Sequence, residues 1–199
     1  MMIEGFILVG GASSRMGSDK ARLRLGGRTF VERIAAALSF VTERVSVVGA
    51  RQEEAAAWQL PVAPDVYEKW GALGGLHAAL VAARAPWAAV VACDLPLVTG
   101  ELFARLASLR ENFEAVVPVQ PDARLQPLCA LYAVGPCRKV AEELIASGER
   151  RPRALVRRVA TREVEPRELS DIAGASLFFM NVNTPEDYAL ARKAVKSDK

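Results

Sequence analysis

Short apolar runs alternate with amphipathic segments along this chain, and that alternation predicts an α/β protein with a mainly parallel sheet. Two further observations agree with it. A glycine-rich polar stretch directly follows the first apolar run, and an aspartate directly follows the apolar run 87–93. In open parallel sheets, ligands bind outside the carboxyl ends of the strands, which is where both features fall.

The first element is Gly5-Phe6-Ile7-Leu8-Val9, short enough to be one buried strand. Gly10 and Gly11 end it. Small polar residues, Arg15, Gly17 and Asp19-Lys20 follow. Glycines let a backbone approach a ligand closely. Hydroxyls, exposed N–H groups and cations are what a polyphosphate needs. The stretch therefore reads as a phosphate-binding loop, against the plainer alternative of a solvated turn. It is not a Walker A loop, and Gly10-Gly11-Ala12 breaks the spacing of the dinucleotide fingerprint.

Gly26-Gly27 reads as a turn. Thr29 with Glu32 forms a capping box, and Phe30, Ile34, Ala37 and Leu38 recur at helical spacing. Residues 43–49 read as a strand, 53–58 as a short helix and 60–63 as a strand leading to Asp65. Residues 71–76 form a second glycine-rich turn entering a helix that runs through Ala83. Those glycines either admit a nucleotide or fit helix against sheet. His77, the only histidine, is read as a packed or solvated residue of that helix rather than a catalytic one.

The strand 87–93 ends in Asp94-Leu95-Pro96. Mg²⁺ takes oxygen ligands from one or two carboxylates plus substrate phosphates, so Asp94 is a candidate metal ligand. The competing reading makes it the cap of the helix 101–109, a place for which Thr99 also competes. Residues 115–119 read as a strand, 121–124 as a polar turn and 125–133 as a returning strand. The helix 136–146 shows one apolar face and is closed by Ser147-Gly148. The basic segment 148–153, with Arg157 and Arg158 beyond, is either a solvated charge run or a clamp for an anionic substrate, since arginine binds phosphate with a bidentate fork. Residues 161–165 read as an edge strand and 177–180 as a short buried strand. Thr184, Pro185 and Asp187 mark the start of a last helix, 187–195. That leaves Asn181 and Asn183, whose alternate positions let both amides face one way.

The length, 199 residues, suits one domain with a sizeable core. Hydrophobic residues are 51% and charged residues 25%, an ordinary globular composition. The formal charge of +3 does not argue for nucleic acid. Three cysteines without C-x-x-C spacing suggest reduced, buried thiols. No signal peptide and no membrane-spanning segment are read, so the expected location is cytoplasmic.

The pattern Leu8-x-Gly10-Gly11-x-Ser13-x-Arg15-Met16-Gly17-x-Asp19-Lys20 resembles the N-terminal signature of the MobA-like nucleotidyltransferases. The likeness extends to Cys93-Asp94-x-Pro96, Gln126-Pro127, Gly148-Glu149-Arg150-Arg151 and Asn181-x-Asn183-Thr184-Pro185-Glu186, and so covers nearly the whole chain. The glycine turn is similar to the family's Gly-Pro-Leu-Ala-Gly but is altered at Ala72 and Gly74. The resemblance implies a single three-layer α/β/α Rossmann-like nucleotidyltransferase domain, its N-terminal half binding the nucleotide and its C-terminal half binding molybdopterin.

The resemblance also implies a reaction. GMP would pass from GTP to the terminal phosphate of molybdenum-bound molybdopterin, with Mg²⁺ as cofactor and with proteins that deliver molybdopterin or mature molybdoenzymes as possible partners. Arg15, Lys20 and Asp94 would be catalytic, and Asp94 would hold the metal. Leu8, Val9, Gly10, Gly11, Lys20, Asp65 and Asp94 would bind the nucleotide. Gln126, Arg150, Arg151, Asn181 and Asn183 would meet the second substrate. One departure concerns the base: many members carry Asn before the arginine matching Arg51, and this chain has Ala50. Two other readings stand beside this one. The first is a cytidylyltransferase acting on molybdopterin or another phosphorylated metabolite, whose family members usually show Leu-Ala-Ala-Gly in place of Leu8-Val9-Gly10-Gly11. The second is a non-catalytic nucleotide-binding protein.

Overall fold

A computed structural model describes residues 2–9, 20–67 and 70–197. Strand β1 (Ile3–Leu8) comes first. After a 3-10 turn at Lys20–Arg22 comes a hairpin of β2 (Arg24–Leu25) and β3 (Arg28–Thr29). Gly26 and Gly27 both take positive φ (58° and 87°), as a tight two-residue hairpin requires. Then follow α1 (Phe30–Leu38), β4 (Arg44–Val48), α2 (Gln52–Trp58), β5 (Val62–Ala63), α3 (Gly71–Ala82) and β6 (Trp87–Ala92). The rest is α4 (Gly100–Ser108), β7 (Ala115–Pro118), β8 (Cys129–Ala133), α5 (Val134–Ala146), α6 (Pro152–Val156), β9 (Thr161–Val164) and α7 (Pro185–Ser197).

Seven of these strands form one sheet in the order β5-β4-β1-β6-β8-β7-β9. All neighbouring pairs are parallel except those of β8, which runs against both β6 and β7. Side chains alternate across the sheet. Ile3 and Ile7 join a core with α1, α2 and α4, whereas Phe6 and Leu8 join a second core with α3, α5 and α6. The result is the expected α/β/α sandwich. The capping box is present: Glu32 N–H donates to Thr29 Oγ1 (3.2 Å) and Thr29 N–H to Glu32 Oε2 (2.6 Å). Cys129 and Cys137 are buried thiols, and the Cys137 thiol is pushed up to about 12 by burial.

Three local expectations are corrected. Residues 71–76 are not a turn but the first turns of α3. Gly71 takes a positive φ (74°) at the helix start, whereas the other two glycines serve packing: a Cβ at Gly75 would lie 3.5 Å from Leu8 Cδ1, and one at Gly74 only 2.7 Å from Trp70 Cβ. Residues 125–128 are not part of β8; they touch the sheet through a bridge between Val119 and Leu125 and through single backbone bonds at Gln126 and Leu128. Pro127 has no N–H to give a ladder. Residues 177–180 are not a strand: a 3-10 turn at Ala175–Leu177 leads into further turn. Their apolar character comes from burial, with Phe178 in the core of one sheet face and Leu177 and Met180 against α7.

Among the described residues, no helix is long and apolar enough to cross a membrane.

Candidate active site

The chain leaves β1 toward β4 on one side and later returns to β6 on the other. The carboxyl ends of β1 and β6 therefore flank a topological switch point, where open α/β sheets bind their ligands. Val9 and Cys93 emerge side by side there, with Cys93 N–H donating to Leu8 C=O at 3.0 Å. Asp94 is the next residue.

Lys20 reaches the same point from the start of the 3-10 turn Lys20–Arg22. It is buried, and its ammonium donates to Asn183 Oδ1 at 2.5 Å. Burial raises the Asp94 carboxyl above its usual range, and the positive charge of Lys20 opposes that shift. Val182 N–H donates to Asp94 C=O at 2.9 Å. Lys20, Asp94 and Asn183 thus meet although the chain separates them widely.

A third apolar cluster makes that meeting possible. Leu25 and Phe30 from the hairpin side pack with Leu97 from the Asp94 turn and with Val182 and Ala191 from the C-terminal segment. Arg33 Nε of α1 donates to Pro96 C=O at 3.0 Å, which ties α1 to the same turn. Tyr188 Oη of α7 donates to Arg24 C=O at 2.6 Å. The Thr184 cap is also real: Asp187 N–H donates to Thr184 Oγ1, and Asp187 Oδ2 accepts from the N–H groups of Asn183 and Thr184, both at 2.9 Å. The sequence marks Asp187 only as a helix-start residue. Its carboxylate also holds the backbone of the residue that receives Lys20.

These bonds, first the one from Asn183 N–H, keep the Asp187 carboxyl below its usual range. A lowered carboxylate pKa contributes stability above the unfolded pKa and loses it as pH falls through the folded one. Asp187→Asn is accordingly expected to cost about 0.3–1 kcal/mol at neutral pH. Urea denaturation should show that difference vanishing in acid.

Gln126 is buried beside the carboxyl end of β6, because β8 runs antiparallel and begins at that edge; Ala92 N–H donates to Leu128 C=O at 2.8 Å. Asp65 follows β5, two strands from β1, and is exposed. Asn181 is exposed, so only Asn183 of the amide pair is brought to Lys20. Leu8 C=O and Val9 N–H are engaged within the sheet, the latter donating to Val48 C=O at 2.8 Å. A nucleotide contact at these two residues falls to their other groups. Ala50 packs at the core margin, and Arg51 is turned to Glu54, with Nε at 3.0 Å and Nη2 at 2.7 Å. Gly10, Gly11 and Arg15 lie outside the described residues.

The basic segment is ordered by Glu149. Its carboxylate accepts from the N–H groups of Arg150 and Arg151 and from Nε and Nη2 of Arg151, all within 2.9–3.0 Å. Those bonds, above all the one from the Arg151 side chain, hold the Glu149 carboxyl down to about 2. Beside them, Arg151, Arg153, Arg157 and Arg158 line a cavity of about 740 Å³. His77 is buried in α3 against Tyr67, 3.6 Å from Glu142, and is packed rather than placed at the switch point.

The donor chemistry at the switch point suits a hard divalent cation. Among the described residues no cluster of three or more His, Cys, Asp or Glu could hold a metal. Mg²⁺ needs no such cage, since one carboxylate and substrate phosphates suffice. Asp94 would supply that carboxylate, and its partial burial leaves the charge short of compensation.

A carboxylate and a buried ammonium at a switch point, with an arginine-rich groove beyond, make an α/β site suited to phosphorylated ligands. Residues 5–164 match the model of the MobA-like NTP transferase domain, and the chain belongs to that family. A "Probable molybdenum cofactor guanylyltransferase" of Pelotomaculum thermopropionicum is 35% identical over 94% of this chain and 91% of its own. A relative with the same description from Chloroflexus aggregans is 37% identical over 96% and 94%. The crystal structure of molybdopterin-guanine dinucleotide biosynthesis protein A from Archaeoglobus fulgidus superposes with a TM-score of 0.81, covering 98% of this chain and 99% of that one. At 24% identity this last likeness speaks for the fold.

Proposed function

We propose that the chain transfers GMP from GTP to the terminal phosphate of molybdenum-bound molybdopterin, giving the guanine dinucleotide cofactor and pyrophosphate. The observation that carries the proposal is the convergence of Lys20, Asp94 and Asn183 at the switch point, in a chain whose relatives are described as guanylyltransferases.

An oxygen of the substrate phosphate attacks the α-phosphorus of GTP. The bond between that phosphorus and the bridging α–β oxygen breaks, and pyrophosphate leaves. The attacking oxygen is already ionised near neutral pH, so the site needs no strong general base. It must position two anions and offset their crowded charge. Lys20 holds the triphosphate and stabilises the departing pyrophosphate, with Asn183 aiming its ammonium. Mg²⁺, with Asp94 as its protein ligand, would supply further neutralisation of the reacting phosphates. Arg15 would act beside Lys20. The N-terminal half binds the nucleotide through the segment from Leu8 to Lys20 and through Asp65. The C-terminal half binds molybdopterin through Gln126, Arg150, Arg151, Asn181 and Asn183. The reaction is assigned to the cytoplasm, alongside proteins that supply molybdopterin or receive the product.

Calorimetric titration with GTP, CTP, ATP and UTP in Mg²⁺ tests the nucleotide half. A site that hydrogen-bonds one base rejects others by up to ~10⁴-fold. Preference for GTP, weakened in Asp94→Ala, is the expected result. Preference for CTP would replace the reading with a cytidylyltransferase.

A further inference from the structure

We propose that Trp70 is a positioning residue that seats the 148–151 arm at the ligand edge of the sheet and thereby sets the affinity for the second substrate. The proposal rests on the reaction proposed above. Trp70 occupies the cap position of α3, where the chain arrives from the carboxyl end of β5. The arm arrives at the same edge from the other half of the molecule, because α5 starts at the far end of β8 and runs back.

Three contacts join them. Trp70 Nε1 donates to Glu149 C=O at 3.0 Å. The Arg150 guanidinium carbon lies 4.7 Å from the centre of the Trp70 ring. Leu73 N–H, in the first turn of α3, donates to Arg150 C=O at 3.2 Å. The last contact matters twice over, since the first N–H groups of a helix have no partner within it. The arm caps α3, and α3 fixes the arm.

The ring itself is held in place. A Cβ at Gly74 would sit 2.7 Å from Trp70 Cβ, so any larger residue there would push Trp70 from its place. Tyr67 packs against it at a tilt of 49°, with ring centres 6.2 Å apart. A guanidinium laid on an aromatic face keeps its N–H edge available for an anion. Meanwhile Glu149 engages Arg151 and the arm's backbone. Glu149 thus shapes the arm internally, and Trp70 decides where the arm and Arg150 stand relative to the nucleotide half. Neither a core residue nor a direct ligand is needed for that role, and Trp70 is only half-buried.

The test is steady-state kinetics of pyrophosphate release, varying GTP and molybdenum-bound molybdopterin separately, for Trp70→Leu, Trp70→Phe, Arg150→Ala and the double variant Trp70→Leu/Arg150→Ala. Trp70→Leu should raise KM for molybdopterin by about ten-fold while KM for GTP stays within about two-fold. Trp70→Phe keeps a ring face without the N–H and should recover part of the loss. The double variant should be little worse than Arg150→Ala alone, because both changes remove one arrangement. Equal rises in both KM values, or fully additive single effects, would overturn the proposal. Should Trp70→Leu not fold, Trp70→Phe and Arg150→Ala still decide it by which KM moves. A wild-type protein that releases no pyrophosphate would instead overturn the reaction itself.

Discussion

Lys20→Ala is expected to lower turnover by ~10²–10³, the usual cost of removing one positioned donor to developing charge. The structure gives this lysine two neighbours whose behaviour should change with it. Its ammonium bonds Asn183 Oδ1, and its charge opposes the upward shift of Asp94. Without it, the Asp94 carboxyl moves further up. The acid limb of the kcat/KM profile should therefore shift to higher pH as well as the rate falling. Lys20→Arg keeps the charge but does not fit a compact buried site built around an ammonium, so it should restore the pH limb better than the rate. Stopped-flow turnover across a pH series separates these effects. A Lys20→Ala variant with near-normal turnover would remove Lys20 from the reaction.

Asp94→Ala should be at least as damaging, ~10²–10³ in rate, with the loss concentrated in Mg²⁺-dependent nucleotide binding. The same carboxylate has a measurable effect on folding. Burial raises its pKa in the folded protein, so the ionised form is disfavoured by folding. The penalty is absent below the unfolded pKa and fully present once pH has risen through the folded one. Asp94→Asn should therefore raise the melting temperature of the ligand-free protein at neutral pH, and the gain should disappear in acid. A residue that weakens the fold where it is ionised, yet is required for turnover, fits a place in the site rather than in the scaffold. An Asp94→Asn variant that melts lower at neutral pH would point to a helix-capping role.

Much of the site's frame was legible because its signals are local. The Thr29 and Glu32 capping box placed α1, and the run before Asp94 placed β6, each within a residue or two. Asp94 and Lys20 were readable because each sits directly after glycine-rich or strand sequence at the ligand edge. What the sequence did not show is mostly long-range. The bond from Lys20 to Asn183 joins residues 163 apart, and no local pattern encodes it. Trp70 gave no sign of holding the 148–151 arm, since its hydrogen-bond partner Glu149 lies 79 positions on.

The misread elements have physical reasons too. Glycines at 71, 74 and 75 suggested a turn, but Gly71 serves a positive φ (74°) at the helix start, and close approach of Trp70 and Leu8 demanded small residues at 74 and 75 within the helix. The apolar run 177–180 suggested a strand, but its side chains fill two separate clusters from a turn.

The most direct measurement incubates the protein with GTP, Mg²⁺ and molybdenum-bound molybdopterin and follows pyrophosphate and guanine dinucleotide together. The account predicts one pyrophosphate per dinucleotide formed, no release when molybdopterin is omitted, and none with CTP in place of GTP. Dinucleotide formation from CTP, or GTP binding without any pyrophosphate release, would contradict it.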